Sequence, residues 1–216
     1  MKTIAVNGSP RKNWNTSVLL KHALEGATDA GSETELIHLC EFAYSGCCSC
    51  FACKKKERII TGCAVKDRLT DVLEKIWSCD VLLLGSPIYL GNITGMMKSF
   101  LERLIFAYLS YDTANRTSFS GRIQSGFIYT MGLPREKVAA MGYPYIFETN
   151  KSYLELLHGN SEYLISADNY QFDDYSKYAA SNFDVAHKSM IREIQFPVDC
   201  QKAYELGKRL ASIVQK

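Results

Sequence analysis

Alternating apolar strands and amphipathic helices predict an α/β fold built on a five-stranded parallel sheet in the order 2-1-3-4-5. Three observations carry this expectation. The runs Thr3-Ile4-Ala5-Val6 and Val81-Leu82-Leu83-Leu84 are unbroken apolar stretches, as in strands buried on both faces of a parallel sheet. Segments with helical apolar spacing lie between the runs. Right-handed crossovers then leave few topologies for the strands.

Strand 1 is expected at 3–7. Val18, Leu19, Leu20, Ala23, Leu24 and Ala27 form the stripe of a first helix; if its start is an ordinary strand–turn–helix, Thr16 or Ser17 is its N-cap. Gly31-Ser32 ends that helix, and Glu35 to Leu39 reads as strand 2. Residues 40–66 form a cysteine-rich excursion. Asp67 caps a helix whose buried face is Leu69, Val72, Leu73, Ile76 and Trp77. Strand 3 runs from Asp80 to Gly85, and Ser86 to Gly95 is a loop rich in Gly, Pro and Asn. Met96, Met97, Phe100, Leu101, Leu104 and Ile105 mark the next helix. Arg122 to Thr130 is strand 4, closed by Met131-Gly132-Leu133-Pro134. The C-terminal third is less regular: a helix near 148–158, a strand near 162–167 and an amphipathic helix at 198–214. An irregular, aromatic-rich region covers 135–195, and the whole of 1–216 reads as one domain.

Composition narrows the function classes. A chain of 216 residues, 47% hydrophobic and 22% charged, has the balance of a globular protein with a real core. A net charge of +2 gives no electrostatic case for nucleic acid or a membrane surface as partner. No window is apolar enough for a membrane span, and the first residues lack the pattern of a secretory signal, so a cytoplasmic location is expected.

In the order 2-1-3-4-5 the ligand crevice lies at the switch point between strands 1 and 3, beyond their carboxyl ends. The loops that meet there are 8–17 and 86–95. The first, Gly8-Ser9-Pro10-Arg11-Lys12-Asn13-Trp14-Asn15-Thr16-Ser17, leads from a strand into a helix. Backbone N–H groups at a helix start lack partners, and the dipole adds about half a positive charge there. Ser9, Asn15, Thr16 and Ser17 add hydrogen-bond donors, and Arg11 and Lys12 add charge. The alternative is an ordinary strand–turn–helix. Neither G-x-G-x-x-G nor G-x-x-x-x-G-K-[ST] occurs in this turn, which favours a terminal phosphate monoester over a dinucleotide or a nucleoside triphosphate. The second loop, Ser86-Pro87-Ile88-Tyr89-Leu90-Gly91-Asn92, offers amides and an aromatic side chain to flank a flat ring. Together the two loops fit flavin mononucleotide (FMN).

Gly8-Ser9-Pro10-Arg11-Lys12 with Asn15-Thr16, Gly85-Ser86-Pro87-Ile88-Tyr89, and Lys98-Ser99-Phe100-Leu101-Glu102-Arg103 form a specific combination. Over roughly 1–132 the chain resembles the flavodoxin-like NAD(P)H-dependent FMN reductases, in the branch that includes the iron–sulfur flavoproteins. The resemblance implies a flavodoxin-like three-layer sandwich. It implies that Ser9, Arg11, Asn15, Thr16 and Ser17 hold the FMN phosphate, and that Pro87, Ile88, Tyr89, Gly91 and Asn92 lie along the isoalloxazine. Thr130 and Gly132 would touch the far edge of the ring. Trp14 departs from the family, where glycine is common, and is expected to cover the ribityl chain or a subunit contact. Lys98 and Arg103 also match; they are expected on a solvated helix face, with Arg103 paired to a carboxylate.

Cys47, Cys48, Cys50, Cys53 and Cys63 crowd into one segment of a chain with eight cysteines. Cys47-x2-Cys50-x2-Cys53 followed by Cys63 can present four thiolates to a [4Fe–4S] cluster. The nine-residue gap before Cys63, the basic insertion Lys54-Lys55-Lys56-Glu57-Arg58 and the extra Cys48 depart from the iron–sulfur relatives. A cluster, a cluster-free thiol loop, and zinc or a disulfide all stay open. The aromatic segment from Tyr143 to Tyr178 reads as core packing, a dimer surface or a lid.

The expected function is an FMN-dependent oxidoreductase with no catalytic side chain of its own, because the flavin carries the chemistry. NAD(P)H would be the donor and a small molecule or a redox protein the acceptor. The alternative is an iron–sulfur flavoprotein that carries electrons to a protein partner. The resemblance implies a homo-oligomer, a dimer or tetramer.

Overall fold

The computed structural model describes residues 1–57, 62–112, 114 and 116–214. Arg58, the end of the basic insertion, lies outside the described residues. The long strands are β1 (Lys2–Asn7), β2 (Glu33–His38), β3 (Val81–Tyr89), β5 (Ile123–Thr130) and β6 (His158–Ser166). They pair in the order β2-β1-β3-β5-β6, and all four pairings are parallel. Counted as the five long strands, this is the predicted 2-1-3-4-5 arrangement. A two-residue strand, β4 (Asn92–Ile93), pairs antiparallel with the end of β3.

Alternate residues of the buried strands face opposite layers. Ile4, Val6, Leu82 and Leu84 enter one core, while Ala5, Val81 and Leu83 enter the other. The first core is covered by α2 (Leu69–Trp77), α3 (Gly95–Phe106) and α4 (Tyr143–Leu154). The second is covered by α1 (Asn15–Asp29) and α6 (Phe196–Val214). Helices α1 and α6 cross at close quarters. A Cβ on Gly26 would lie 2.0 Å from the Tyr204 carbonyl oxygen, and one on Gly207 would lie 1.8 Å from that of Ala23. Only glycine allows this backbone approach, so the two helices are locked in one register.

Before α6 runs a short helix, α5 (Val185–Met190), joined to it by a π-helical turn at Ile191–Gln195. The earlier part of the aromatic region is core: Tyr143 and Phe147 on α4 are buried, and the Phe147 and Tyr129 rings stack at 4.3 Å. Its later part packs on itself, with Phe172 stacked on Tyr178 at 4.0 Å. Among the described residues no helix is long and apolar enough to cross a membrane.

Three local expectations need correction. Helix α1 begins at Asn15 with Trp14 in the cap position, so neither Thr16 nor Ser17 is the cap. Strand β3 does not stop at Gly85 but continues through Pro87 to Tyr89, because Ser86 and Pro87 still pair with Tyr129 and Thr130 of β5. The chain then reverses at Leu90-Gly91, both with positive φ (48° and 82°), the conformation a tight hairpin turn requires. Asp67 does accept from the Leu69 N–H at 3.0 Å, one residue ahead of the cap, while Thr70 Oγ1 accepts from the Asp67 N–H at 3.0 Å. This reciprocal pair replaces a single capping residue at the start of α2.

Candidate functional site

The loops after β1 and β3 are bonded to each other. The Gly8 N–H donates to the Gly85 carbonyl at 2.8 Å, and Thr94 Oγ1 donates to the Gly8 carbonyl at 2.8 Å. Ser86 Oγ accepts from the Thr94 N–H at 3.0 Å. Gly8 and Gly85 leave no room for a side chain: a Cβ on Gly8 would lie 2.8 Å from Met97, and one on Gly85 would lie 2.8 Å from Leu20 and Thr16. The first loop also folds on its own polar groups. Asn7 Oδ1 accepts from the Ser9 N–H at 3.0 Å, and Ser9 Oγ accepts from the Arg11 N–H at 3.1 Å. Asn7 Nδ2 donates to His38 Nδ1 at 2.9 Å, and burial keeps the His38 pKa below its usual value.

Between these loops opens a cleft of about 430 Å³. That volume is in the range of small-molecule and cofactor sites. Of the expected cofactor-binding residues, Ser9, Arg11, Asn15, Thr16, Pro87, Ile88, Tyr89, Thr130 and Gly132 line it. Ser17, Gly91 and Asn92 do not line the cleft. Ser17 is fully buried beneath the helix start, its hydroxyl without a partner in the structure. Gly91 and Asn92 serve the hairpin, where Asn92 Oδ1 accepts from the Ile93 N–H at 2.8 Å.

The α1 end of the cleft suits an anion. No side chain caps α1 and no acidic residue stands in its first turn. Its first N–H groups therefore keep their unmet hydrogen-bonding capacity and the positive end of the dipole. Thr16 and Thr130 bring their hydroxyl oxygens to 2.7 Å. The β3 end is different in character: Ile88 and the half-exposed Tyr89 supply a flat, largely apolar wall.

A third segment completes the cleft, and the motifs gave no sign of it. Asn169, Tyr170 and Gln171, just after β6, line it as well. Arg11 Nη1 donates to the Gln171 carbonyl at 2.6 Å, while Trp14 Nε1 and Asn15 Nδ2 both donate to the Tyr170 carbonyl, at 3.2 and 2.9 Å. Trp14 thus ties the first loop to this segment, with the Arg11 guanidinium 5.1 Å from its ring centre. Arg192, in the π-helical turn, donates to Asn15 Oδ1 at 3.0 Å and brings another cation to the α1 start. These contacts span about 155 to 177 positions of sequence, so no local pattern announces them.

The cysteine excursion lies against α3 rather than in the cleft. Arg103 is buried, not on a solvated face. Its guanidinium pairs with Asp67 at 2.5 Å and donates to the Val65 carbonyl at 3.0 Å. Burial opposes its charge, but the Asp67 carboxylate and the Cys63 thiol outweigh it and raise the pKa. Lys54 reaches the carbonyl of Phe106, the last residue of α3, and that of Leu109 just beyond it, and so closes the helix end. Cys47, Cys48, Cys50, Cys53 and Cys63 all face one hollow of about 10 Å³. That is room for about one water, not a four-iron cube. Among the described residues no three Cys, His, Asp or Glu side chains come together as metal ligands. The arrangement therefore does not fit the expected cluster on Cys47, Cys50, Cys53 and Cys63.

With this geometry in place, comparison with known proteins is decisive on one point. The family model described as NADPH-dependent FMN reductase matches residues 1–136. The chain belongs to this family. An iron-sulfur flavoprotein of Archaeoglobus fulgidus is 38% identical over 127 residues, which cover 58% of this chain and 60% of that protein. An FMN-dependent NADPH-azoreductase of Staphylococcus aureus is 27% identical over 130 residues, 58% of this chain and 63% of that protein. The chain thus matches these curated relatives over about three-fifths of their length. Among solved structures, an NAD(P)H:quinone oxidoreductase from Methanothermobacter marburgensis superposes with a TM-score of 0.68 at 15% identity, covering 97% of this chain and 96% of that one. An FMN-dependent NADH-azoreductase from Bacillus anthracis in complex with FMN also gives 0.68, at 14% identity, covering 98% and 100%. At such identities the structural matches establish the flavodoxin-like fold of this family member and nothing finer.

Proposed function

We propose that this reductase-family chain binds FMN in the cleft between residues 8–17, 86–90 and 130–132, and that it passes reducing equivalents from NAD(P)H to an acceptor. The observation that carries this reading is the uncapped start of α1 beside Ser9, Thr16 and Thr130, at the switch point of the sheet. A phosphate monoester would be held there by helix N–H groups and hydroxyls. Pro87, Ile88 and Tyr89 would flank the ring, and Gly132 would allow its edge to approach backbone. FMN supplies the electron-transfer chemistry when bound. The protein's own part is to fix the cofactor and to wall one side of it from water. The acceptor is proposed to be a small molecule or a redox protein, and the setting cytoplasmic. A homo-oligomer, dimer or tetramer, is part of the same reading. Large apolar side chains left in solvent at Tyr111, Met141 and Tyr145 support it, and light scattering would measure it.

The alternative is an electron carrier with a cluster on Cys47, Cys50, Cys53 and Cys63. The hollow they share is too small for it as the thiols stand. One experiment separates the readings: anaerobic purification of the full chain, an absorption spectrum, and flavin and iron quantification. Flavin bands with stoichiometric FMN, no iron and rapid NAD(P)H oxidation are expected. Broad visible absorption with stoichiometric iron would instead restore the carrier. A colourless protein whose melting temperature ignores added FMN would end both.

A further inference from the structure

The turn at Gly132, which lines the cleft, is gripped from behind by α5. Lys188 is 4% exposed, and its ammonium donates to the Gly132 carbonyl at 2.7 Å and to the Asp168 carboxylate. Asp168, itself buried and with φ at 60°, also pairs with His187 Nε2 at 2.7 Å. The Asp168 N–H donates to the Leu133 carbonyl at 2.9 Å, and the Asn169 N–H donates to that of Met131 at 2.9 Å. Residues 131–133 are thereby tied at each carbonyl. Beyond the π-helical turn, α6 completes the bracket: buried Asp199 accepts from Ser166 Oγ at 2.7 Å and from Gln195 Nε2 at 2.8 Å.

A buried ion pair is weak evidence for stability, because desolvation of both charges offsets their attraction. Its placement is the informative part. The Lys188 ammonium spends one donor on a backbone carbonyl of the cleft lining, not on a second carboxylate. It also brings a positive charge within one peptide group of the cleft, in a medium where charge is poorly screened.

We propose that Lys188 is a positioning residue for the bound cofactor: it fixes the Gly132 carbonyl and raises both the affinity for FMN and the reduction potential of the bound FMN. The inference rests on the reading that FMN occupies this cleft. Reduction adds negative charge to the cofactor, so a nearby cation favours the reduced form, and the Asp168 carboxylate paired with Lys188 opposes this. Removing the cation and removing its counter-charge should therefore shift the potential in opposite directions. A role in packing alone gives no such opposition.

The test uses the full chain and two readouts, FMN affinity by fluorescence titration and the midpoint potential of the bound FMN against a reference dye. Lys188→Met is expected to weaken FMN binding about tenfold and to shift the potential to more negative values. Asp168→Asn is expected to shift it to more positive values. Equal affinity in Lys188→Met and wild type, or shifts of the same sign in both variants, overturns the proposal. If Lys188→Met fails to fold, the double variant Lys188→Met with Asp168→Asn removes both charges at nearly constant volume. It must still bind FMN more weakly, since the Gly132 carbonyl has lost its donor; unchanged affinity there overturns the proposal too. A wild-type chain that does not bind FMN overturns the functional reading itself, and a wild type that binds while the variants match it overturns only the role of Lys188.

Discussion

Thr16 Oγ1 and Thr130 Oγ1 stand 2.7 Å apart, joining the first turn of α1 to the last residue of β5. Both residues are buried, and both face the cleft. One hydroxyl donates to the other, which leaves one proton and several lone pairs for a ligand at the phosphate end. Thr16→Val keeps the shape and removes the hydroxyl. It should weaken FMN binding about tenfold while the fold persists, since a hydrogen bond to a charged group contributes about 1.5–3 kcal/mol. Fluorescence titration of wild type and variant measures it, and equal dissociation constants would remove Thr16 from the site.

Gly85→Ala should act on the same turn through sterics. Its Cβ would meet the Thr16 methyl and the Leu20 side chain at 2.8 Å. Overpacking of this kind costs about 1–3 kcal/mol. A lower denaturant midpoint together with weaker FMN binding is expected; a variant as stable as wild type would mean that the packing of β3 against α1 has slack the structure does not show.

The His38 contact makes stability depend on pH. Burial lowers its pKa below the ordinary 6.5, and nearby Lys12 and Lys21 add to the effect against Glu41. Asn7 Nδ2 can only donate, so His38 Nδ1 must stay unprotonated for their bond. The group is a base with a depressed folded pKa. Its contribution is therefore complete above the unfolded value near 6.5 and is lost as pH falls from there through the folded value. Melting temperatures between about pH 7.5 and pH 5.5 should fall less steeply in His38→Gln than in wild type. Parallel slopes would assign the loss to other groups.

Arg103→Met addresses the cysteine excursion. Arg103 is buried, and its partner Asp67 is partly exposed. Breaking a buried pair from one side costs about 3–5 kcal/mol, and the lower end applies where the remaining partner reaches water. Faster proteolysis between residues 45 and 67 should accompany the loss, because Arg103 also donates to the Ser45 and Val65 carbonyls. Unchanged proteolysis would show that the excursion is held by other contacts, such as Lys54 on the end of α3.

Much of this architecture was legible in the sequence because the informative runs are local. Ile4 to Val6 and Val81 to Leu84 are strands buried on both faces, and that burial is why their apolar character is unbroken. The strand order followed from connection rules, and it brought Ser9, Thr16, Pro87 and Ile88 into one cleft. Turn chemistry was harder to read. The Gly-, Pro- and Asn-rich run from Ser86 to Gly95 reads as loop, yet Pro87 still pairs with Thr130 near the end of β3, and the chain reverses only at Leu90-Gly91. Trp14 departs from the family pattern in its own loop, and its structural partner, the Tyr170 carbonyl, lies far away in sequence. Lys188, Arg192 and Gln171 left no trace, because each acts on residues far off in sequence through backbone carbonyls or a single amide. A carbonyl is present at every position, so no side-chain motif marks it. The cysteines are the opposite case: a strong local pattern, Cys47 to Cys63, whose thiols face one hollow too small for the cluster the spacing invited.

The central claim is that FMN belongs in the cleft between α1 and the end of β3. Equilibrium titration of FMN into the flavin-free full chain, with flavin fluorescence and melting temperature followed together, tests it most directly. Saturable, stoichiometric quenching is predicted, with a gain in stability of about 2.7 kcal/mol when free FMN is a hundredfold above its dissociation constant. Fluorescence that never saturates, with a melting temperature unmoved by FMN, would contradict it.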